Sequence, residues 1–245
     1  MGDILEVKDL NKSFGGLRAV SHLDFYVKEH EIMGLIGPNG AGKTTTFNLI
    51  AGFYPPDSGS ITFKGENITG LRADQICKMG ICRTFQVARP FSKMTALENA
   101  MIGAFCHTAD IAEARDIASR QLEFVDLYLR RDELARNLTT IDQRRLELAR
   151  ALSTNPTLLL MDETMAGLTP AEIDVAVGLI AKVRDSGVTV IVVEHVMRAI
   201  MSISERIVVL DGGQKIAEGT PQEICQDERV ICAYLGEGYR HAGTA

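Results

Sequence analysis

Basic residues are in the minority: 26 Lys and Arg stand against 32 Asp and Glu, for a net charge of -6. That balance excludes a surface built mainly to neutralise phosphate backbones, so no nucleic-acid partner is expected. Long apolar runs are missing too. The longest lie around residues 158–161 and 188–193, far short of the roughly 20 residues that a membrane-spanning helix needs. The opening Met1-Gly2-Asp3-Ile4-Leu5-Glu6 carries acids where a secretory signal would carry bases, so a cytoplasmic chain is expected. The five cysteines (Cys77, Cys82, Cys106, Cys225 and Cys232) are odd in number and irregularly spaced. That suits neither a disulfide framework nor a zinc site, and reduced, mostly buried thiols are expected. The five histidines include no His-x-x-x-His pair, and no internal repeat or low-complexity stretch is present. With 245 residues, 46% hydrophobic and 24% charged, the chain has the composition of a packed domain.

Against those absences stands Gly37-Pro38-Asn39-Gly40-Ala41-Gly42-Lys43-Thr44-Thr45, which fits G-x-x-x-x-G-K-[ST] at every fixed position. Glu31-Ile32-Met33-Gly34-Leu35-Ile36 before it reads as a buried strand, and Thr45-Thr46-Phe47-Asn48-Leu49-Ile50 after it as the start of a helix. Glycines let the backbone curl so that successive N–H groups face phosphate oxygens, and the helix N-terminus adds partial positive charge. Lys43 then reaches the β- and γ-phosphates, and the Thr44 hydroxyl can ligate Mg²⁺. The alternative is a glycine-rich turn with a stray lysine. The match of both flanks favours nucleoside-triphosphate binding.

The rest of the chain alternates between two periodicities. Residues 4–8 and 20–28 alternate apolar and polar like half-buried strands, and a turn at residues 55–59 leads into a strand at 60–63. A helix is expected over 72–79 and an extended run over 81–85. From Thr95 to about Leu134 helical spacing takes over, with Ile111, Ala114, Ala118, Leu122, Val125 and Leu129 on one stripe. Strands then recur at 157–161, 188–193 and 206–210, between helices at 170–184 and 196–202. Thr169, Pro170 and Glu172 spell a capped helix start. Asp211-Gly212-Gly213 reads as a hairpin turn, and two short amphipathic helices with a polar tail close the chain. Short apolar strands separated by helices predict a mostly parallel sheet. In such sheets ligands bind beyond the carboxyl ends of the strands.

Residues just past those strand ends are therefore the candidates for chemistry. Asp162 follows Leu158-Leu159-Leu160-Met161 and would sit near Mg²⁺, directly or through water. Glu163 would accept a proton from the attacking water. The alternative is an acid pair that merely ends a strand. His195 follows Val188–Val193 and Glu194 and could donate to the γ-phosphate, although a lone histidine is more often structural. Gln86, after Arg83-Thr84-Phe85, could ligate Mg²⁺ and position water. Phe14, in Ser13-Phe14-Gly15-Gly16, could stack on adenine or could simply be a core or turn residue.

The order of these segments resembles the nucleotide-binding subunits of ABC transporters over nearly the whole chain. Phe14-Gly15-Gly16-Leu17-Arg18-Ala19-Val20, Arg83-Thr84-Phe85-Gln86, Ala166-Gly167-Leu168-Thr169-Pro170 and Ala233-Tyr234-Leu235-Gly236 are similar to the ATPases of branched-chain and hydrophobic amino-acid importers. The resemblance implies one ABC ATPase domain over 1–245. Its P-loop NTPase (RecA-like) core and β subdomain would occupy 1–90 and 151–225, a helical subdomain 91–150, and a C-terminal helix and tail 226–245. It implies a mostly parallel central sheet and an antiparallel β subdomain. It further implies Mg-ATP hydrolysis and a head-to-tail dimer with the same or a sister ATPase subunit. Transmembrane permease subunits at the cytoplasmic face would dock around Gln86 and residues 88–94, and a solute-binding protein would act indirectly. Thr139 would reach the partner's γ-phosphate in trans.

One segment departs from the family. Where Leu-Ser-Gly-Gly-Gln is usual, this chain has Leu138-Thr139-Thr140-Ile141-Asp142, without either glycine. Ile141 brings a β-branched side chain to the expected contact and disfavours positive φ there. Thr164 replaces the usual proline after the Asp-Glu pair. An unimpaired dimer, slow hydrolysis and pairing with a sister subunit all remain open, and a working catalytic half is favoured. The rival functions are a lipid or lipopolysaccharide exporter, a nucleotide-gated regulatory subunit, and a soluble ABC ATPase of DNA repair or ribosomes. The last usually carries paired cassettes, a coiled-coil insertion or basic arms, which are not seen here.

Overall fold

The computed structural model describes residues 2–84 and 90–235, with the side chain of Leu235 excepted. Gln86 and its neighbours from 85 to 89 therefore lie outside the described residues. The chain divides into two compact units, residues 1–72 with 165–245, and residues 73–164.

The first unit holds two sheets. Long strands β1 (Asp3–Phe14) and β2 (Leu17–Lys28) pair antiparallel, β1 also pairs antiparallel with β4 (Ser58–Phe63), and β4 with β5 (Glu66–Asn67). β1 outruns the stretch expected from alternation. Register shifts between Val7 and Leu10 and between Leu10 and Lys12 interrupt the two-residue period. The other sheet is built on β3 (Ile32–Ile36), which pairs parallel with β8 (Thr189–Val193) and with β9 (Arg206–Asp211). β10 (Gln214–Gly219) then pairs antiparallel with β9 through the expected Asp211-Gly212-Gly213 turn. Every residue of β3 and β8 is buried, which is why these strands read as unbroken apolar runs.

Three helices of this unit follow their sequence signals closely. α1 (Lys43–Ile50) succeeds β3, α6 (Pro170–Asp185) carries the Thr169–Glu172 capping box with Pro170 at its start, and α7 (Met197–Ile203) follows β8. Gly34 in the middle of β3 lets α7 approach: a Cβ there would lie 2.9 Å from Ser204 Oγ and 3.0 Å from Ile200 Cγ1. The last elements among the described residues are α8 (Pro221–Gln226) and α9 (Glu228–Leu235).

The second unit begins with α2 (Ala73–Met79) and β6 (Ile81–Arg83), and β6 pairs parallel with β7 (Leu158–Asp162). Between them come α3 (Ala96–Ala104), α4 (Ile111–Phe124) and α5 (Thr140–Leu152). The expected stripe on α4 holds for Ala114, Ala118, Leu122 and Val125, all buried, but fails at both ends. Ile111, the first residue of α4, is 65% exposed, and Leu129 is 94% exposed because the helix stops at Phe124 and Asp126 takes a positive φ of 58°. A side chain off the end of a helix no longer shares its face.

Candidate functional site

The phosphate loop leaves β3 at Gly37 and enters α1 at Lys43. Two of its glycines are forced by geometry. At Gly37 a Cβ would sit 2.1 Å from the Leu210 carbonyl oxygen. At Gly42, with φ of 100°, it would sit 2.5 Å from the Ala19 carbonyl oxygen. Gly40, with φ of 83°, needs its glycine for backbone angle alone, since the space beside it is open. Ala41 N–H donates to the Pro38 carbonyl, closing the curl. Pro38 is half-buried, and Asn39 and Gly40 are exposed.

Gly42 caps α1 in a left-handed conformation and supplies no side-chain acceptor to the first turn. The first-turn N–H groups and the positive end of the helix are thereby offered to an anion. Thr44 is exposed and Thr45 half-buried in that turn. Lys43 is buried, and its ammonium donates to the Gly37 carbonyl at 2.7 Å and the Pro38 carbonyl at 3.0 Å. A cation held against the loop from inside is preset for a polyanion outside it.

Neighbouring segments brace this loop in ways the sequence did not announce. Gly213, at the β9–β10 turn, donates its N–H to the Ala41 carbonyl and accepts from Ser21 N–H. Burial pushes the Tyr234 hydroxyl in α9 above its ordinary pKa, and the nearby Gly37 backbone opposes that shift. Tyr234 was legible only as part of a family-like ending, and the structure gives it a place on the phosphate loop. Phe14, at the tip of the β1–β2 hairpin, is 42% exposed and so is not core. It meets Tyr54 edge-to-face with centroids 5.4 Å apart, and the Lys12 ammonium lies 5.6 Å from its ring centre. Tyr54 was missed because nothing around it in the sequence marks an aromatic platform.

In the second unit Asp162 ends β7 and is buried. Its Oδ2 accepts from Arg83 Nη2 at 2.7 Å, with both side chains nearly inaccessible. Arg83 drew attention only as a motif letter, and its ionic role needs the parallel pairing of β6 with β7 to appear. Glu163 follows, half-buried, with a positive φ of 49°. A non-glycine residue in that region carries about 1–3 kcal/mol of strain, and such strain gathers at functional turns.

Back in the first unit, Glu194 is buried after β8 and accepts the Met165 N–H at 2.7 Å. This carboxylate pins the turn that leads through Ala166-Gly167-Leu168 to α6, a role hidden in the sequence behind the adjacent His195. His195 itself is exposed.

Thr139 caps α5. Its hydroxyl accepts the Asp142 N–H and donates to Asp142 Oδ2 at 2.7 Å. Arg130 also bonds Asp142, and its second contact, with Glu133, holds that carboxyl below its usual pKa. Ile141 lies inside the helix and not at positive φ, in keeping with the preference of a β-branched side chain. Thr139→Ala should lower unfolding stability by about 1 kcal/mol, the usual worth of such a cap, as read from the denaturant midpoint of the purified chain.

Taken separately, the Thr44 hydroxyl and the Asp162 carboxylate, whose Oδ1 is not the oxygen that Arg83 takes, are each the kind of oxygen that a hard divalent ion accepts.

Residues 20–166 match the family model described as ABC transporter. The chain belongs to the ABC transporter family of ATPases. A second model, the branched-chain amino acid ATP-binding cassette transporter, matches residues 214–240. The ABC relatives include the high-affinity branched-chain amino acid transport ATP-binding protein BraF of Pseudomonas aeruginosa, 44% identical over 96% of this chain and 98% of its own length. LivG of Salmonella typhimurium, named for the same transport, is 42% identical over the same shares. The lipopolysaccharide export protein LptB of Escherichia coli is 37% identical, again over 96% and 98%. Among solved structures, a nucleotide-free ATP-binding cassette from an ABC transporter matches with a TM-score of 0.88 at 29% identity, over 96% of this chain and all of that one. A cassette in its ADP conformation matches equally well, at 30% identity. No helix among the described residues is long and apolar enough to cross a membrane.

Proposed function

We propose that this chain hydrolyses Mg-ATP to drive import of branched-chain or other hydrophobic amino acids. It would work at the cytoplasmic face of the membrane, on permease subunits, in a head-to-tail dimer with its own copy or a sister subunit. The observation that supports the cargo most is the C-terminal match over residues 214–240 to the branched-chain cassette model, together with the higher identity to BraF and LivG than to LptB.

Lys43 and the loop amides of residues 37–45 hold the β- and γ-phosphates, and Phe14 stacks on the base. Thr44, Asp162 and Gln86 would hold Mg²⁺, directly or through water; when bound, the ion offsets charge on the phosphates. Glu163 takes a proton from the attacking water, and His195 donates to the γ-phosphate. Thr139 completes the site of the opposite subunit. Gln86 and residues 88–94 would receive a short permease helix, with Phe91 and Met94 as apolar contacts. Phe91 is 52% exposed, as such a contact requires.

Exporter function is the second reading, supported by the 37% identity to LptB. The deciding experiment is to purify the chain with its co-expressed membrane partners and reconstitute them in vesicles. Leucine-loaded binding protein should raise ATP turnover several-fold and drive labelled leucine inward. Turnover that answers to lipopolysaccharide and ignores leucine would overturn the importer assignment.

A further inference from the structure

Three cysteines that are scattered in sequence meet in the second unit. α2 carries Cys77, β6 carries Cys82, and Cys106 lies in the turn after α3. Cys77 Sγ is 3.6 Å from Cys106 Sγ, and the neighbouring Cys77 and Thr154 side chains hold the Cys82 thiol below its usual pKa. All three are reduced and half-buried, and none belongs to the nucleotide machinery above. The expectation of reduced, mostly buried thiols rests on linear spacing, which cannot register a meeting brought about by three separate elements.

Fixed backbone on both sides holds the pair together. Gly80 N–H donates to the Cys77 carbonyl, and the Gly80 carbonyl accepts from both Thr157 and Leu158 N–H, tying the end of α2 to β7. Cys106 N–H donates to the Gly103 carbonyl. Gly103 lies so close to α5 that a Cβ would sit 2.1 Å from the Arg150 carbonyl oxygen. His107, the next residue, bonds the Thr154 carbonyl at 2.8 Å through its ring. The two sulfurs are thus neighbours because their backbones are anchored, and not only through a choice of rotamers. A cavity of about 230 Å³ alongside is lined by Cys82, Cys106, Gly103, Arg150 and Thr154, among others. It is large enough to admit a small oxidant.

We propose that Cys77 and Cys106 form a two-electron redox modification site, which closes an intramolecular disulfide when the chain meets hydrogen peroxide. Cys106 borders the cavity and reacts first. Its thiolate attacks one peroxide oxygen, the O–O bond breaks, and the departing hydroxide combines with the proton shed by the thiol to give water. The sulfur is left as a sulfenic acid. Cys77 sulfur then attacks that sulfur, the S–O bond breaks, and the oxygen leaves as a second water with the Cys77 proton. Two thiols have lost two electrons and one peroxide has become two waters. Closure brings the sulfurs from 3.6 Å to about 2.0 Å. Burial pushes the Cys106 thiol up to about 11, and the Cys82 hydrogen bond with burial pushes Cys77 higher still. Near neutral pH the pair therefore rests protonated, only the small thiolate fraction of Cys106 reacts, and closure speeds up as pH rises.

The test is peptide mapping of the full chain after peroxide treatment at pH 8, with remaining thiols alkylated before digestion. The expected result is a bridge between Cys77 and Cys106 within one monomer, the loss of two alkylatable thiols of five, and recovery of both with a dithiol reductant. The same bridge should form in the Cys225→Ser/Cys232→Ser variant and be absent in Cys106→Ser. Bridging should raise the thermal midpoint of the parent but not of Cys106→Ser. Five alkylatable thiols after treatment would overturn the proposal. So would a bridge that joins Cys77 to Cys82, involves Cys225 or Cys232, or links two chains.

Discussion

Glu163→Gln should cut phosphate release by the assembled transporter by about 10²- to 10⁴-fold, the range that a positioned general base supplies. ATP binding should survive. Glutamine keeps the size and hydrogen-bonding reach of the side chain but has no basic carboxylate at neutral pH. The local structure makes the change a clean one. Glu163 is half-buried directly after the fully buried β7 and takes a φ of 49°, a conformation that glutamine tolerates no worse than glutamate. Loss of turnover with unchanged fold would then report chemistry and not unfolding. Equal phosphate release by parent and variant would remove Glu163 from the reaction and favour the nucleotide-gated regulatory subunit, which the altered segment around Ile141 keeps in play.

Arg83→Ala carries the second large effect, on stability. Arg83 and Asp162 pair at 2.7 Å with side chains only 7% and 4% exposed. Removing one partner of a buried pair leaves the other charge stranded, at a cost of about 3–5 kcal/mol. Urea unfolding of Arg83→Ala should show that loss, and Arg83→Ala/Asp162→Asn should recover much of it, because the second change removes the stranded charge. A single variant as stable as the parent would mean that Asp162 is solvated or otherwise satisfied, and the pair would lose its structural role.

The sequence was most informative where one local rule sufficed. The phosphate loop was legible because its glycines, lysine and flanking strand and helix are contiguous. The Thr169–Glu172 cap was legible because four residues contain the whole motif. The apolar runs of β3, β7 and β8 announced their own burial. What escaped was long-range. Arg83 and Asp162 are 79 residues apart, and only strand pairing joins them. Tyr54 meets Phe14 although β2, β3 and α1 lie between them in the chain and no periodic signal links them. Glu194 looked like a spacer before His195 until its bond to Met165 appeared. The thiol cluster was read as scatter for the same reason. At Ile141 one local rule sufficed as well: a β-branched residue disfavours positive φ, and the segment runs as helix from Thr140 without one.

The account rests on the phosphate loop as a preset anion cradle closed by Lys43, whose ammonium already spans the Gly37 and Pro38 carbonyls at 2.7 and 3.0 Å. Equilibrium titration of the Lys43→Ala chain with Mg-ATP tests it most directly, alongside a thermal melt to confirm that the fold persists. Loss of the charge-assisted contacts should weaken binding by about 10- to 100-fold. Parent-like affinity in a folded Lys43→Ala chain would contradict the account.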